Sequence, residues 1–299
     1  MDTCLEIEDN EVVGFRARVS VDIPDGVVRI RSGAFAGCIA LTQVNIPDSV
    51  KSIGENAFVQ CNNLERATIG NGVTSIGARA FEECSSLKSI AIPNTVTRLA
   101  ECTFCRCKSL ESVVLGTNTE SIGEYAFYVC KSLRCIEIPD SVTSIGNSAF
   151  AYCKSLTSID ITDSVVSIGR SAFAKCDKLT SAKLSNNMTK IEWGVFWDCI
   201  SLTDINIPDS VTSIDAGAFA GCISLKSIII PNNVTNIEWG AFEGCRNLTS
   251  IIIPNSVTSM GDDVFFQCRS LKSIKVPKHF DAYDVARWGL PDTCEIIWY

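Results

Sequence analysis

Histidine is almost missing from the sequence: 299 residues contain one, His279. One histidine, placed near the C-terminal end, excludes an HExxH zinc helix and leaves a single residue for any Ser-His or Cys-His pair. Glycine-rich phosphate loops, a Walker pattern and a nucleophile elbow are missing too. No run of eighteen apolar residues occurs, so nothing reads as a membrane-spanning helix. Basic blocks are absent, and the formal net charge is −8. That balance excludes recognition of nucleic acid by phosphate neutralisation. The opening MDTCLEIEDNEVVG has neither a basic segment nor an apolar core, so it is not read as a signal peptide. These absences remove the common catalytic classes, and the chain is read as no enzyme, with no cofactor.

What is present is one string repeated. Its marker is Phe35, Phe58, Phe81, Phe104, Phe127, Phe150, Phe173, Phe196, Phe219, Phe242 and Phe265, at a fixed 23-residue period. Such a period is the signature of a solenoid. Within the unit, Leu-x-x-Ile-x-Ile alternates as a short half-buried strand, as in Leu156 to Ile161 or Leu225 to Pro231. Pro follows in eight of twelve in-frame positions and ends the strand, since it has no N–H to donate. A polar turn and Val-x-x-Ile-Gly come next, a second short extended piece. Ala-Phe-x-x-Cys then suits a 3₁₀ turn rather than an α-helix. One coil cannot bury its own Phe, Leu and Ile; stacked coils bury them for one another. Eleven Phe in register therefore predict a continuous spine.

The string LxxIxIPxxVxxIGxxAFxxC resembles the BspA-like leucine-rich repeat, also called the Treponema-pallidum-type class, over residues 18 to 277. The resemblance implies a horseshoe with a parallel sheet on its concave face and short strands and 3₁₀ turns elsewhere. It also implies protein–protein contact and, in many members, surface attachment. We divide the chain into an N-terminal cap over 1–22, a solenoid of eleven to twelve coils over 23–277 and a C-terminal cap over 278–299. In the first cap, Phe15, Ala17, Val19, Val21 and Ile23 alternate as one strand covering the first coil. In the second, Asp281 to Trp288 predicts a short helix and Glu295 to Tyr299 a last strand.

Sixteen cysteines are present, and eleven form one column three residues after the Phe: Cys38, Cys61, Cys84, Cys107, Cys130, Cys153, Cys176, Cys199, Cys222, Cys245 and Cys268. Stacked Cβ vectors run parallel, which a disulfide dihedral does not accept. The column is therefore expected to be buried, reduced and hydrophobe-like. Cys4, Cys102, Cys105, Cys135 and Cys294 are the thiols expected to be exposed. Such thiol usage fits a reducing, cytoplasmic compartment. A mature form with its signal removed would instead be extracellular. The Asn-x-Thr sequons at Asn187, Asn233 and Asn247 follow from the frequency of Thr in the repeat.

Two departures from the repeat carry expectations. Leu99-Ala100, Thr103 and Thr119 weaken the columns over 96–119, which should open first. The turn glycine follows Ile directly at Gly54 or Gly146, but lies two places on at Gly33, Gly194, Gly217 and Gly240. A moved glycine moves the position free to take positive φ, so those corners should follow a different path.

The candidate partner-binding residues are Trp193, Ala216, Trp239, Ile229 and Ile252. Trp193 and Trp239 stand two coils apart with Ala216 between them. They either frame a slot for an aromatic or cationic side chain or lie flat as packing. Ile229 and Ile252 are adjacent apolar residues in an outward strand column that elsewhere holds Asn, Thr, Glu or Lys. Outward Ser89, Ser112, Ser158, Ser181, Ser227, Ser250 and Ser273 would let a partner approach closely. Cys102-x-x-Cys105-x-Cys107 has metal-like spacing but lacks a fourth ligand, so no metal is assigned. Glu137 and Asp160 share an outward column and read as solvated carboxylates. The function expected is a non-catalytic protein-interaction scaffold, with a cell-surface adhesin-like protein as the alternative. The sequence carries no signal for oligomeric state.

Overall fold

The computed structural model describes residues 5–15 and 19–299. Cys4 and Ala17 lie outside them. The chain divides into two compact units, Met1–Ser155 and Leu156–Tyr299. Each is a stack of 23-residue coils with two kinds of parallel ladder.

The first unit opens on an antiparallel hairpin of Leu5–Glu8 and Glu11–Phe15. Asp9 and Asn10 turn it at φ 49° and 60°. Two successive positive-φ residues suit a two-residue hairpin loop, and Asp and Asn tolerate that conformation. Phe15 thus belongs to the hairpin rather than to the single strand expected over Phe15 to Ile23, of whose described residues Ser20–Asp22 joins the main sheet. That sheet continues through Gln43–Ile46, Arg66–Ile69, Ser89–Ala91, Ser112–Val114 and Cys135–Ile136. Residues one period apart pair directly, as Ser89 with Ser112 and Ile90 with Val113. The Val-x-x-Ile segments form the second ladder, in which Glu11–Phe15 pairs with Arg29–Ile30 and that strand with Ser52–Ile53.

The second unit repeats the scheme. Ser158–Asp160, Ser181–Lys183 and Asp204–Asn206 make one sheet; Ser250–Ile252, Ser273–Val276 and Glu295–Trp298 make another. The strand expected at Leu225 to Pro231 does not form. Its Ile228 and Ile230 still point inward and are buried, so the apolar pattern fixes the side chains without fixing the ladder.

The corner around each Phe is a third ladder. The Phe58 amide donates to Ala80 O at 2.8 Å, Asn56 to Ala78 O at 3.0 Å and Gln60 to Glu82 O at 2.8 Å. Phe127 and Phe219 do the same at 2.8 Å, to Ala149 O and Ala241 O, and Phe242 at 3.0 Å to Val264 O. Amides two before, at and two after the Phe thus all reach the next coil. The rings follow, and the expected spine forms within each unit. Centroids lie 4.7–5.6 Å apart from Phe35 through Phe127 to Phe150. They lie 5.5–5.9 Å apart from Phe173 through Phe219 and Phe242 to Phe265. All eleven rings are buried to 0% exposure. Truncating one to Ala would cost about 3–5 kcal/mol.

Trp288 completes this column, standing 23 residues after Phe265. It is 1% exposed, packs edge-on against Phe280 at 5.1 Å, and its carbonyl accepts the Phe265 amide at 2.8 Å. The helix Ala282–Ala286, capped by Asp281 and Asp284, delivers it there. Thr103 and Thr119 are fully buried, yet their hydroxyls donate to Ala100 O at 2.8 Å and Val96 O at 3.4 Å. Neither leaves an unsatisfied group in the core.

The thiol column does more than fill space. Cys61 Sγ donates to Phe35 O at 3.0 Å, and the bond recurs one coil on for Cys84, Cys107, Cys130 and Cys153. In the second unit Cys199, Cys222, Cys245 and Cys268 do the same at 3.1–3.2 Å. Each S–H ties a coil to the carbonyl of the coil before. Cys38 is the exception to the expected burial. It is first in the column, has no earlier Phe to donate to, and is only half-buried. Burial pushes Cys61 and Cys268 up to about 12, and Cys84, Cys130, Cys222 and Cys245 well above the ordinary thiol value.

The shifted glycines do not re-route the corner. Gly33, Gly194, Gly217 and Gly240 hold φ 69°, 61°, 62° and 59°, while Asn56, Arg79, Tyr125, Ser148 and Asp263 hold 50–58° at the same place. These corners follow one path, whether or not glycine is there. The glycine after Ile serves another purpose. A Cβ on Gly77 would stand 2.5 Å from Glu55 N, and one on Gly146 2.5 Å from Glu124 N. Close approach of adjacent coils, not positive φ, selects glycine there.

Two outcomes follow. Gly146→Ala should lower stability by about 1–3 kcal/mol through overpacking, whereas Gly217→Asn, whose Cβ would meet only Ala220 Cβ at an ordinary 3.8 Å and whose φ Asn56 already adopts, should change the melting temperature little; thermal melts of the pair check this. The buried thiols have folded pKa values above their unfolded ones, so their contribution is complete below about pH 8.5 and lost as pH rises toward 12. Each thiol should contribute a slope of about 1.4 kcal/mol per pH unit in that window. Replacing Cys222 and Cys245 by Ala should therefore flatten the alkaline loss of stability by about 3 kcal/mol per pH unit, read from denaturant melts between pH 9 and 11.

Candidate functional site

The corner ladder fixes where Trp193, Ala216 and Trp239 stand. Their carbonyls accept the amides of Ser171 at 2.8 Å, Gly194 at 3.1 Å and Gly217 at 3.0 Å. The three therefore follow one another in consecutive coils, three residues before Phe196, Phe219 and Phe242. Both indoles face solvent, Trp193 at 45% and Trp239 at 51% exposure, and Ala216 is half-buried. The Trp193 ring leans toward Trp197 of its own coil, with centroids 6.5 Å apart and planes tilted by 41°.

Trp197 is a residue that the sequence reading misses. It occupies the place directly after Phe196, and Phe266 holds the same place after Phe265. Both are exposed, as is Ile200. Following the place after each Phe at the 23-residue period finds them, because most of its other occupants are small or polar. Lys175, one coil earlier, sets its ammonium 4.7 Å from the Trp197 centroid and 3.4 Å from Asp198 Oδ2. An indole face beside a carboxylate is an arrangement that holds cations. The corner of residues 193–266 thus presents three indoles and a phenyl ring, with Glu192, Asp198, Asp215, Glu243 and Asp263 half-buried among them. Burial and the neighbouring Asp263 raise Glu243 above the usual carboxylate range.

The strand face is different in kind. Ile229 is 79% exposed and Ile252 53% exposed. Ile252 lies on a strand, while Ile229 belongs to the segment that forms none. Around the Ser158 to Asn206 sheet an open depression of about 540 Å³ is lined by Ser158, Ser181, Asp160, Lys183, Asp204 and Asn206, with Lys183 Nζ 3.3 Å from Asp160 Oδ1. Asp160 therefore has a cationic neighbour, and Glu137 is exposed.

Cys102 and Cys105 correct an expectation: both are buried. Cys102 adopts φ 55° two places before Phe104, Cys105 donates its amide to Cys102 O at 3.0 Å, and the Arg106 amide donates to Tyr128 O of the next coil at 2.7 Å. Cys107 belongs to the thiol column, bonded to Phe81 O at 3.1 Å. Among the described residues no three His, Cys, Asp or Glu side chains are grouped to hold a metal ion. His279 bonds through Nε2 to Val257 O at 2.8 Å, and its ring lies 4.5 Å from that of Phe280 with the planes tilted by 41°. No helix among the described residues is long and apolar enough to cross a membrane.

The family model described as the BspA type leucine-rich repeat region matches residues 7–133, 97–222 and 189–285. Among solved structures, a leucine-rich repeat protein from Bacteroides ovatus is 28% identical, with a TM-score of 0.54 over 98% of this chain and 97% of that one. One from Eubacterium ventriosum is 18% identical, with a TM-score of 0.53 over 83% and 82%. A leucine-rich cell surface protein from Faecalibacterium prausnitzii is 24% identical, with a TM-score of 0.42 over 96% of each chain. No curated protein matches in sequence.

Exposure and pKa together order the thiols. In the folded protein a maleimide at pH 7 should label the exposed Cys135 fastest, then the half-buried Cys38 and Cys294. Cys102 and Cys105 should stay protected, with Cys105 held up at about 12 by burial. Peptide mapping after labelling checks it; rapid modification of Cys105 would contradict the burial.

Proposed function

The chain belongs to the BspA-type leucine-rich repeat family, and on that premise we propose that it is a non-catalytic scaffold whose partner is a protein, bound through the aromatic corner of residues 193–266. The exposed indoles of Trp193, Trp197 and Trp239 carry this reading. Monomer surfaces seldom leave several large aromatics in solvent on neighbouring turns, and Trp is the side chain most enriched among interface anchors. Each indole rests on a corner held by backbone bonds to the next coil, so it is presented with little conformational freedom to lose on binding. The acidic groups among the rings favour a partner surface bearing cations. The lone histidine, tied to a backbone carbonyl, and the paired or solvated carboxylates offer no nucleophile–base couple.

The test replaces Trp193 and Trp239 by Ala. Affinity capture with the wild-type protein from its source cells, followed by crosslinking, should identify a partner that the double variant recovers at least about tenfold less. The melting temperature should shift by no more than about 2 °C, because both indoles are half solvated. A variant that melts several degrees lower and recovers the same partner would make the indoles packing elements. The binding surface would then be sought at Ile229 and Ile252.

A further inference from the structure

The place two residues after each Phe is a second positive-φ column. Gln60, Glu83, Arg106, Val129, Tyr152, Lys175, Asp198 and Gln267 hold it at φ 55–62°. Eight side chains therefore adopt the conformation without help from glycine. Gly221 and Gly244, which follow Phe219 and Phe242, nonetheless occupy it in consecutive coils, at φ 74° and 67°. Backbone geometry does not require glycine here; what the pair contributes is two missing side chains.

The gap has definite walls. Asp198 turns its carboxylate into the place of the first, since a Cβ on Gly221 would fall on Asp198 Oδ1. At Gly244 the space is open, with Gly221 N the nearest atom to a Cβ, at 3.6 Å. A notch of about 190 Å³ results, lined by Trp197, Asp198, Ala220, Ile223, Glu243, Arg246 and Gln267 together with the two glycines. Trp197, Ala220 and Ile223 supply apolar surface; Asp198 and Glu243 supply carboxylates. No cation among the described residues pairs with Glu243. Arg246 stands on the rim.

The molecule shows what such a site takes. One coil above Asp198, in the same column, Lys175 runs its ammonium to the Trp197 face and the Asp198 carboxylate. The geometry points to the Gly221–Gly244 notch as the pocket for a single lysine side chain of the protein partner, which would fill the column where this chain leaves it empty. The lysine methylenes lie along Trp197, Ala220 and Ile223, and the ammonium meets Glu243 and the Gln267 amide oxygen. This deepens the reading of the corner as a protein-binding surface and rests on it.

The notch can be probed without the partner. n-Butylammonium, the lysine side chain without its backbone, is titrated into ¹⁵N-labelled protein with sodium butyrate as control, following the Trp197 indole N–H resonance. A saturable shift with butylammonium only is expected. Gly244→Gln places in the notch the residue that Gln267 shows to be compatible with the backbone, and should abolish the response with an otherwise native spectrum. Glu243→Gln should weaken it about tenfold. An equal response to butyrate, or an unchanged response in Gly244→Gln, overturns the proposal. Partner capture separates the two readings. If Gly244→Gln binds the partner as wild type does while the double Trp variant does not, the corner is the interface and the lysine pocket is refuted.

Discussion

The distance between one coil and the next is set by peptide groups. At corner after corner an amide reaches the carbonyl of the following coil at 2.7–3.1 Å, and strand ladders hold the other two sides. That spacing leaves little choice elsewhere. Phe rings held 4.7–5.9 Å apart by that repeat lie nearly parallel, with planes 2–13° from one another. At Gly54, Gly77, Gly123, Gly146 and Gly261 a Cβ would stand 2.3–2.6 Å from backbone of the coil before, while Arg31, Ala100, Glu192, Asp215 and Glu238 hold the same place in other coils. Cys Sγ lies within reach of the carbonyl left by the Phe before it, so a thiol can donate where Ala or Val would leave that lone pair unused. A single pitch thus accounts for the aromatic, the thiol and, in the coils that keep it, the glycine at three places in the repeat.

Because the pitch is uniform, the fold is legible from columns alone. Phe, Leu, Cys and Val-x-x-Ile recur without insertion, and each buried column sits where alternation places it. Misreadings arise where one residue type answers to two physical demands. Glycine after Ile and glycine before Phe look alike in sequence, yet one avoids a clash and the other eases a φ that Asn or Tyr also adopts. Cys102 and Cys105, outside the column, read as exposed because their burial is set by the stacking of the next coil, a full period away in sequence, to which the Cys102 amide donates at Glu124 O. The Asp9-Asn10 pair turns a hairpin within the stretch expected as the N-terminal cap, a signal that the alternation of Phe15 to Ile23 does not carry. Trp288 is legible only when the Phe spacing is continued past the last Pro and a larger ring is allowed.

The candidate surface is half legible. Trp193 and Trp239 stand out by their shared column; Trp197 and Phe266 do not, since they lie after Phe rather than before it. The Gly221–Gly244 pair escapes for the opposite reason. Its signal is an interruption in a column of varied, mostly polar residues, where Gly37 also stands. Periodicity reveals what is kept, and a surface for recognition is written in what departs from it. Ile229 illustrates the limit: its segment has the strand pattern and buried neighbours, but whether the backbone joins a ladder depends on the coils on either side.

The corner ladder reaches only from one coil to the next, and the last Phe accepts Trp288 in place of a twelfth Phe. Within each unit the interior interfaces are therefore the same kind of joint, and their parts lie 23 residues apart. A duplication or loss of one repeat's worth of codons inside such a stack leaves each remaining joint intact. Genetic slippage in whole repeats can lengthen or shorten the protein without an intermediate that fails to fold. Recognition residues in particular coils are carried along as cassettes, brought nearer or farther apart by whole turns. Local joints make the number of coils a quantity that selection can adjust separately from the chemistry any one coil displays.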